Sequence, residues 1–191
     1  QNVMLSTVDG EQFVVKVAHS GESVTELAMQ NAAMAHLNKK GLSVPKAMSN
    51  LSSTDMTAVS DNQGNQFQLR VLTFLQGGFY ADTPAEMHNH LLWTSLGCFM
   101  GEIDKTLEDF DHPGAYRYFD WDLAHGYGIC QTKKSLLAHD QMALVDHFLD
   151  YYYSHILPFV DALPKSIIHN DANDYNVLID DVTSPTKITG I

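Results

Sequence analysis

Residues 167–179 read Ile-Ile-His-Asn-Asp-Ala-Asn-Asp-Tyr-Asn-Val-Leu-Ile, a polar loop between two short apolar runs. Rigid strands on both sides of a loop are a common way of presenting chemically active side chains. Within the loop, His169, Asp171 and Asn176 follow the spacing His-x-Asp-x-x-x-x-Asn. Phosphoryl transfer needs such a pair, a carboxylate that orients and deprotonates a hydroxyl and an amide oxygen that binds Mg²⁺. The alternative is a plain turn held by Asn and Asp side chains, and the flanking apolar runs favour the catalytic interpretation.

A lysine lies inside a second apolar run, residues 13–17, which read Phe-Val-Val-Lys-Val. Burying the Lys16 ammonium is costly unless an anion compensates it, and the phosphates of a nucleotide would supply that anion. The alternative is an edge strand whose lysine faces the solvent. The order of Lys16, a helical segment and then the catalytic-type loop favours the nucleotide interpretation.

Composition and charge narrow the class of protein. The 191 residues are 45% hydrophobic and 18% charged, as in an ordinary globular protein. A net charge of −12 with 11 Lys and Arg and no basic cluster argues against a nucleic-acid partner, and it suits a small cationic substrate. No apolar run approaches the roughly 20 residues that span a bilayer, so we expect no membrane association. Cys98 and Cys130 have neither metal nor redox spacing, which predicts a reducing, cytoplasmic location.

Hydrophobic periodicity predicts an α+β fold with a small sheet lobe before a helical lobe. The predicted strands are residues 2–8 and 11–17 around an Asp9-Gly10 turn, 56–60, 66–75, 166–168, 176–179 and 187–191. The predicted helices are residues 23–40, 83–107 with Thr83 as N-cap, and 139–162, which Pro158 should kink or end. Gly77-Gly78 is the predicted boundary between a lobe of residues 1–77 and a lobe of residues 78–191.

The chain resembles the aminoglycoside phosphotransferase and choline kinase family, whose fold is similar to that of protein kinases, and within it the hydroxylysine kinases. The matching stretches are residues 13–17, 29–31, 69–77, 103–107, 111–113 and 168–180. The resemblance implies a protein-kinase-like fold, with a nucleotide-binding sheet and one helix in residues 1–77. Residues 78–191 would be a partial helical lobe that carries the catalytic loop.

The resemblance also implies roles for the residues of the two apolar-flanked motifs. Asp171 would be the catalytic base and Asn176 the magnesium ligand. His169 would orient the loop by hydrogen bonding, and Lys16 would contact the α and β phosphates.

Two further sets of residues follow from the resemblance. The backbone of Thr73, Phe74 and Leu75 would form the hinge that hydrogen-bonds the nucleotide base. The helical partner of the lysine is usually Glu, whereas spacing places Gln30 there, with Glu26 one turn earlier. Whether Gln30 or Glu26 partners Lys16 stays open.

The sequence departs from the family pattern in other places. Asn170 stands where the family usually has Gly, and Asn is the residue next most tolerant of a left-handed backbone. A second metal-binding Asp, in an Ile-Asp-Phe-Gly-type motif, would follow Ile191, and the phosphate-covering loop would precede Gln1. We therefore expect the sequence to be a fragment of the complete enzyme.

The acceptor pocket has a weaker signal. Trp121 lies between Asp120 and Asp122, after the helix where the family often builds this pocket, and the carboxylates would suit an amine. The alternative is an ordinary surface loop. The aromatic run Tyr151–Tyr153 is expected in a helix core more than in a substrate platform.

Together these features predict transfer of the γ-phosphoryl group of ATP or GTP, with Mg²⁺, to a hydroxyl of a small, hydroxylysine-like amine. The alternatives are an aminoglycoside or choline/ethanolamine-type kinase, and a non-catalytic pseudokinase-like module that binds a nucleotide or a partner. The choice between ATP and GTP and the oligomeric state stay open.

Overall fold

A computed structural model describes residues 1–19 and 21–191. The fold is α+β, as predicted, and the chain forms two compact units, residues 1–115 with 166–191 and residues 116–165. The strands are β1 (Asn2–Ser6), β2 (Gln12–Val17), β3 (Thr57–Ser60), β4 (Gln66–Thr73), β5 (Gly78–Phe79), β6 (Leu178–Ile179) and β7 (Ile188–Gly190). The α-helices are α1 (Val24–Lys39), α2 (His90–Leu107), α3 (Leu123–Lys133) and α4 (His139–His155). In the part of the chain described, no helix has the length and apolarity needed to cross a membrane.

The first sheet is antiparallel, with the strand order β1-β2-β4-β3. The predicted hairpin is confirmed, and Gly10 in its turn has a φ of +86°, which glycine adopts without steric cost. In the β2–β4 register Lys16 lies opposite Arg70. Side chains of directly opposed residues share one face of a sheet, so both cations lie on the same face.

Helix α1 has the predicted bounds because its two ends carry local signals. Ser23 accepts a hydrogen bond from the backbone of Glu26, whose carboxylate accepts one from the backbone of Ser23, which is a capping box. Gly41, with a φ of +92°, follows its C-terminus. The helix packs through Leu37 against Ile103 and Leu107 of α2.

The prediction that α2 begins at Thr83 is wrong, since the helix begins at His90. Asn89 caps it, because its Oδ1 accepts from the Leu92 backbone N–H at 3.0 Å, and its Nδ2 donates to the Pro185 carbonyl at 2.8 Å. Upstream, residues 80–82 and 85–87 form single 3-10 turns. The backbone N–H groups of Tyr80 and Ala81 donate to carbonyls of residues 177 and 174 instead of closing a helical turn.

The second sheet contains β5, β6 and β7 in that order, and helix α2 covers it. Leu92 of α2 packs with Val177, Ile179 and Ile188 in one buried cluster. The strand predicted at residues 166–168 does not form, although strands overlap the predictions at 176–179 and 187–191. Gly78 allows β5 to lie close to this sheet, because a Cβ atom there would be 2.4 Å from Cγ1 of Val182.

The unit of residues 116–165 consists of α3 and α4. Helix α3 was not predicted, and Asp122 caps it by accepting from the Ala124 backbone N–H at 2.9 Å. Helix α4 ends at His155, and a 3-10 segment with Pro158 follows it, as the predicted break near this proline required. The expected core placement of the aromatic run is wrong for Tyr151 and Tyr153, which are 56% and 57% exposed.

Candidate active site

The polar loop of residues 169–176 is anchored where β6 begins. Val177 and Ile179 beneath it are buried, and the carbonyls of Val177 and Asp174 accept hydrogen bonds from Tyr80 and Ala81 at 2.9 and 3.0 Å. The loop is therefore tied both to the core and to the segment that follows β5, while its own polar side chains are mostly exposed.

Asp171 and Asn176 are in direct contact. The Asn176 amide donates from Nδ2 to Oδ2 of Asp171 at 3.0 Å and to the Asp171 carbonyl at 2.7 Å. Asn173 donates from its own Nδ2 to the other carboxylate oxygen, Oδ1, at 2.8 Å. Because each carboxylate oxygen accepts a bond from an amide, the orientation of the exposed Asp171 side chain is fixed by its own loop.

Asn170 has a φ of +61°, so it lies in the left-handed region. Glycine enters this region without cost and Asn is among the few other residues enriched there. The conformation explains why Asn fits the position that the family usually gives to Gly.

His169 lies beside the predicted base, and its Nδ1 accepts from the Asp171 backbone N–H at 3.4 Å. Burial lowers the pKa of the imidazole; the charge of Asp171 raises the pKa and the charge of Lys16 lowers it. The hydrogen bond to Nδ1 ties the His169 ring to the backbone of the loop. The action of both charges on one ring also puts Lys16 within electrostatic range of the loop.

Lys16 is half-buried in β2. Burial lowers the pKa of its ammonium, the Arg70 charge lowers the pKa further, and Glu22 opposes both. Within the described residues, no carboxylate lies within salt-bridge distance (4.0 Å) of Lys16. Among the described carboxylates, that of Glu22 acts on the ammonium from beyond this distance.

Both residues expected to partner Lys16 make other contacts in the structure, and the identity of its partner stays a prediction. Gln30 accepts a hydrogen bond at Oε1 from the Arg70 guanidinium at 2.8 Å. Glu26 accepts one at Oε2 from the Ser23 backbone N–H at 2.6 Å, within the capping box of α1. Sequence reasoning missed Arg70, although an arginine inside the apolar run of β4 is the same kind of signal as Lys16.

The predicted hinge has one unused backbone donor. Thr73 donates its N–H to the Lys46 carbonyl at 2.9 Å, and Phe74 donates to the Gln12 carbonyl at 3.2 Å. The Leu75 N–H has no hydrogen-bond partner among the residues that the structure describes. The role of Thr73, Phe74 and Leu75 towards a nucleotide base stays a prediction.

Asn176 and Asp171 supply oxygen atoms that fit one side of a hard cation such as Mg²⁺. The described part of the chain has no group of three His, Cys, Asp or Glu residues that could hold a metal ion. Asn176 uses Nδ2 for its side-chain hydrogen bonds, which leaves Oδ1 as an oxygen ligand next to the Asp171 carboxylate. Mg²⁺ commonly takes one or two protein oxygens and completes its shell with phosphate and water, so these residues fit that ion.

The three residues predicted for the acceptor lie in the unit of residues 116–165. The Asp122 carboxylate caps α3, and Asp120 accepts a hydrogen bond from Tyr118, which contributes after burial to a raised pKa of that tyrosine. The Trp121 side chain is 65% exposed. Their assignment to an acceptor pocket stays a prediction.

The fold and the loop define a protein of the kinase-like class, and comparison with known proteins agrees. Residues 1–191 match the phosphotransferase enzyme family, described as APH, so the chain belongs to that family. Hydroxylysine kinase of Xenopus laevis is 24% identical over 187 residues, covering 93% of this chain and 49% of that protein. Hydroxylysine kinase of Danio rerio is 25% identical over 201 residues, covering 100% of this chain and 56% of that protein. The chain therefore spans about half the length of the curated relatives it matches.

Two solved structures share the fold. A microcompartment-associated aminopropanol kinase superposes with a TM-score of 0.72 at 16% identity, covering 95% of this chain and 57% of that one. An amicoumacin kinase in complex with AMP-PNP, Ca²⁺ and Ami gives a TM-score of 0.71 at 19% identity, covering 98% and 54%. At these identities the likeness establishes the fold.

Proposed function

We propose that the full-length protein transfers the γ-phosphoryl group of ATP or GTP to a hydroxyl of a small amine-containing molecule of the hydroxylysine type. The observation that carries the proposal is the Asp171–Asn176 pair, 3.0 Å apart and held on a loop within electrostatic range of Lys16. A carboxylate, an amide oxygen and a cation are the groups that phosphoryl transfer uses for positioning and charge neutralisation.

Each residue has one task in this mechanism. Asp171 accepts the proton of the acceptor hydroxyl while the oxygen forms its bond to the γ-phosphorus and the bond to the β-phosphate oxygen breaks, leaving the nucleoside diphosphate. Asn173 and Asn176 hold the Asp171 carboxylate in the orientation that this transfer needs. His169 holds the loop backbone through its Nδ1, which accepts from the Asp171 backbone N–H, and Lys16 neutralises charge on the α and β phosphates. Mg²⁺, bound by Asn176 Oδ1, would neutralise phosphate charge and align the phosphoryl group for transfer.

Support for an amine-containing acceptor comes from charge and from the relatives. The chain has a net charge of −12, which attracts cations. Hydroxylysine and aminopropanol, the molecules named for a relative and a structural neighbour, both pair an amine with a hydroxyl. Asp120, Trp121 and Asp122 are the candidate acceptor contacts.

The test is Asp171→Asn in the full-length protein. We expect kcat to fall by roughly 10²–10⁴-fold, the usual contribution of a positioned base, with Mg·ATP affinity nearly unchanged. Asp174→Asn is the matched control, because Asp174 lies on the same loop but contacts Ala81 through its backbone carbonyl. Turnover of Asp171→Asn at near the wild-type rate contradicts the assignment of the base.

The acceptor is tested by a substrate series. Steady-state rates with hydroxylysine, aminopropanol, choline, ethanolamine and an aminoglycoside, each with ATP and with GTP, rank the alternatives by kcat/KM. We expect hydroxylysine to rank first. Tight Mg·ATP binding without turnover of any hydroxylated amine would instead favour the pseudokinase-like alternative.

A further inference from the structure

Arg70 is a buried cation on the same sheet face as Lys16. It lies opposite Lys16 in the β2–β4 register, and it is 6% exposed. A guanidinium keeps its charge at any physiological pH, so its burial has to be offset by hydrogen bonds or by an anion.

All the side-chain hydrogen bonds of Arg70 have their acceptors on helix α1. The guanidinium donates to Oε1 of Gln30 at 2.8 Å, to Oδ1 of Asn31 at 3.0 Å and to the Leu27 carbonyl at 3.4 Å. These three acceptors lie on one face of α1 within about a turn, so a single side chain of β4 fixes the helix against the sheet. All three acceptors are neutral oxygens. They satisfy hydrogen bonds of the guanidinium, but α1 supplies no negative charge that pairs with it.

These contacts of Arg70 determine which groups remain to pair with Lys16. Arg70 occupies Gln30, and the capping box occupies an oxygen of Glu26, so α1 brings no carboxylate within ion-pair distance of the lysine. The two neighbouring cations repel each other; the Glu22 carboxylate offsets part of this repulsion, and a bound anion would offset more of it. A polyphosphate is an anion of the required charge density, and the Lys16 charge acts on His169, which belongs to the loop of the predicted base and metal ligand.

We propose that Arg70 is a positioning residue for nucleotide binding: it ties α1 to the sheet through Gln30 and Asn31, and so leaves the Lys16 ammonium to the phosphates of the nucleotide. The inference rests on the proposed phosphotransferase function. It assigns to the contacts of Arg70 with Gln30 and Asn31 the helix-to-sheet connection that was expected from Lys16 and either Gln30 or Glu26.

The first measurement is the KM for Mg·ATP of Arg70→Met, which removes the charge and the hydrogen bonds but keeps a long unbranched side chain. We expect the KM to rise roughly tenfold or more, the effect of losing hydrogen bonds to a charged group, while the KM for the acceptor changes less than about twofold. Arg70→Lys keeps a cation that reaches Gln30, and it should recover part of the lost affinity.

The second measurement separates positioning from a merely structural role. Gln30→Ala breaks the shortest Arg70 contact without changing any charge, and we expect a smaller rise in the KM for Mg·ATP. The double variant Arg70→Met/Gln30→Ala should be no worse than Arg70→Met alone, because both substitutions remove the same connection. Leu149→Ala, in the unit of residues 116–165, is the control for general destabilisation and should leave this KM unchanged.

The outcomes are distinct. An unchanged KM for Mg·ATP in Arg70→Met, additive effects in the double variant, or an equal rise in Leu149→Ala each overturns the inference. If Arg70→Met does not fold, an unchanged KM in Gln30→Ala overturns it. Failure of the proposed function has a different signature, since the wild-type protein would then bind no Mg·ATP in a calorimetric titration or phosphorylate no acceptor.

Discussion

The two compact units differ in how they are held together. Of the buried apolar side chains within the described residues, all but Leu149 belong to the unit of residues 1–115 and 166–191. The unit of residues 116–165 exposes much of its apolar surface. Its exposed large side chains include Tyr116, Tyr118, Trp121, Leu123, Leu136, Leu144, Phe148, Tyr151, Tyr153, Phe159 and Leu163.

The candidate catalytic residues lie in the unit with the larger buried core, residues 1–115 and 166–191. Asp171 and Asn176 are exposed or half-buried, but Val177 and Ile179, directly after them, belong to a buried cluster with Ile188 of β7. In the helical unit the contacts that define structure are local, such as the Asp122 cap and the stacked rings of Tyr151 and His155, 4.5 Å apart. A reacting group needs a fixed position, and a packed core supplies it better than local helical contacts do.

The largest effect is expected for Ile179→Ala. Ile179 is fully buried beneath the loop, so the substitution should lower the free energy of unfolding by about 3 kcal/mol, within the usual range for removing a buried aliphatic chain. Urea unfolding measures the loss, and hydrogen exchange of residues 169–179 should rise with it. Leu149→Ala is the counterpart in the helical unit, and we expect it to cost less.

Equal losses in the two variants would break the comparison, since they would show that the helical unit is packed as firmly as the other. The phosphorylation rates of the two variants give a second comparison of the two units. Ile179→Ala should lower kcat through the loop, whereas Leu149→Ala should not.

A smaller effect is expected for Gly114→Ala, within the better-packed unit. A Cβ atom at Gly114 would be 2.5 Å from the Thr25 carbonyl oxygen and 2.9 Å from the Met29 Cβ, both on α1. Overpacking of this kind costs about 1–3 kcal/mol. Thermal unfolding measures the loss of stability as a fall in the melting temperature. The matched control is Gly101→Ala on α2, where a Cβ atom meets nothing within 4 Å and the helix should gain roughly 0.5–1 kcal/mol. If Gly114→Ala unfolded at a higher temperature than wild type, α1 would have to move away to accommodate the added methyl group.

The fold was predictable where local signals agree with tertiary contacts. The Asp9-Gly10 hairpin and the Ser23 cap of α1 each carry a signal within a few residues. The start of α2 was not predictable, because Thr83-Pro84 reads as a good helix start, whereas residues 85–87 form one 3-10 turn and the cap is Asn89, which also bonds to the distant Pro185 carbonyl. Helix α3 was missed because Gly126 and Gly128 weaken its propensity, and its cap at Asp122 was read as a possible substrate contact.

For the candidate site, the His-x-Asp-x-x-x-x-Asn spacing picked out Asp171 and Asn176, and the structure shows their side chains in contact within one short loop. The surroundings of Lys16 depend on a contact across 40 residues between Arg70 and Gln30, and no short-range pattern encodes such a pairing. The assigned roles of Lys16, His169, Asp171, Asn176 and the hinge residues stay predictions until the variants above are measured.

The smallest effect is expected for Asp180→Asn, in the exposed turn after β6, where hydrogen bonds and not burial hold the chain. Burial opposes ionisation of the carboxyl, but it is outweighed because the Thr186 side chain and the backbones of Thr186, Lys187 and Asp181 donate to it, so the pKa falls to about 2. A folded-state pKa below the unfolded value of 3.8 stabilises the protein fully above pH 3.8, and this contribution disappears as the pH falls towards 2. Unfolding curves between pH 7 and pH 2 should therefore show wild type more stable than Asp180→Asn at neutral pH, with the gap closing below pH 4. A gap that stayed constant down to pH 2 would mean that the ionised carboxylate does not hold the turn, and that even this exposed part of the first unit depends on packing.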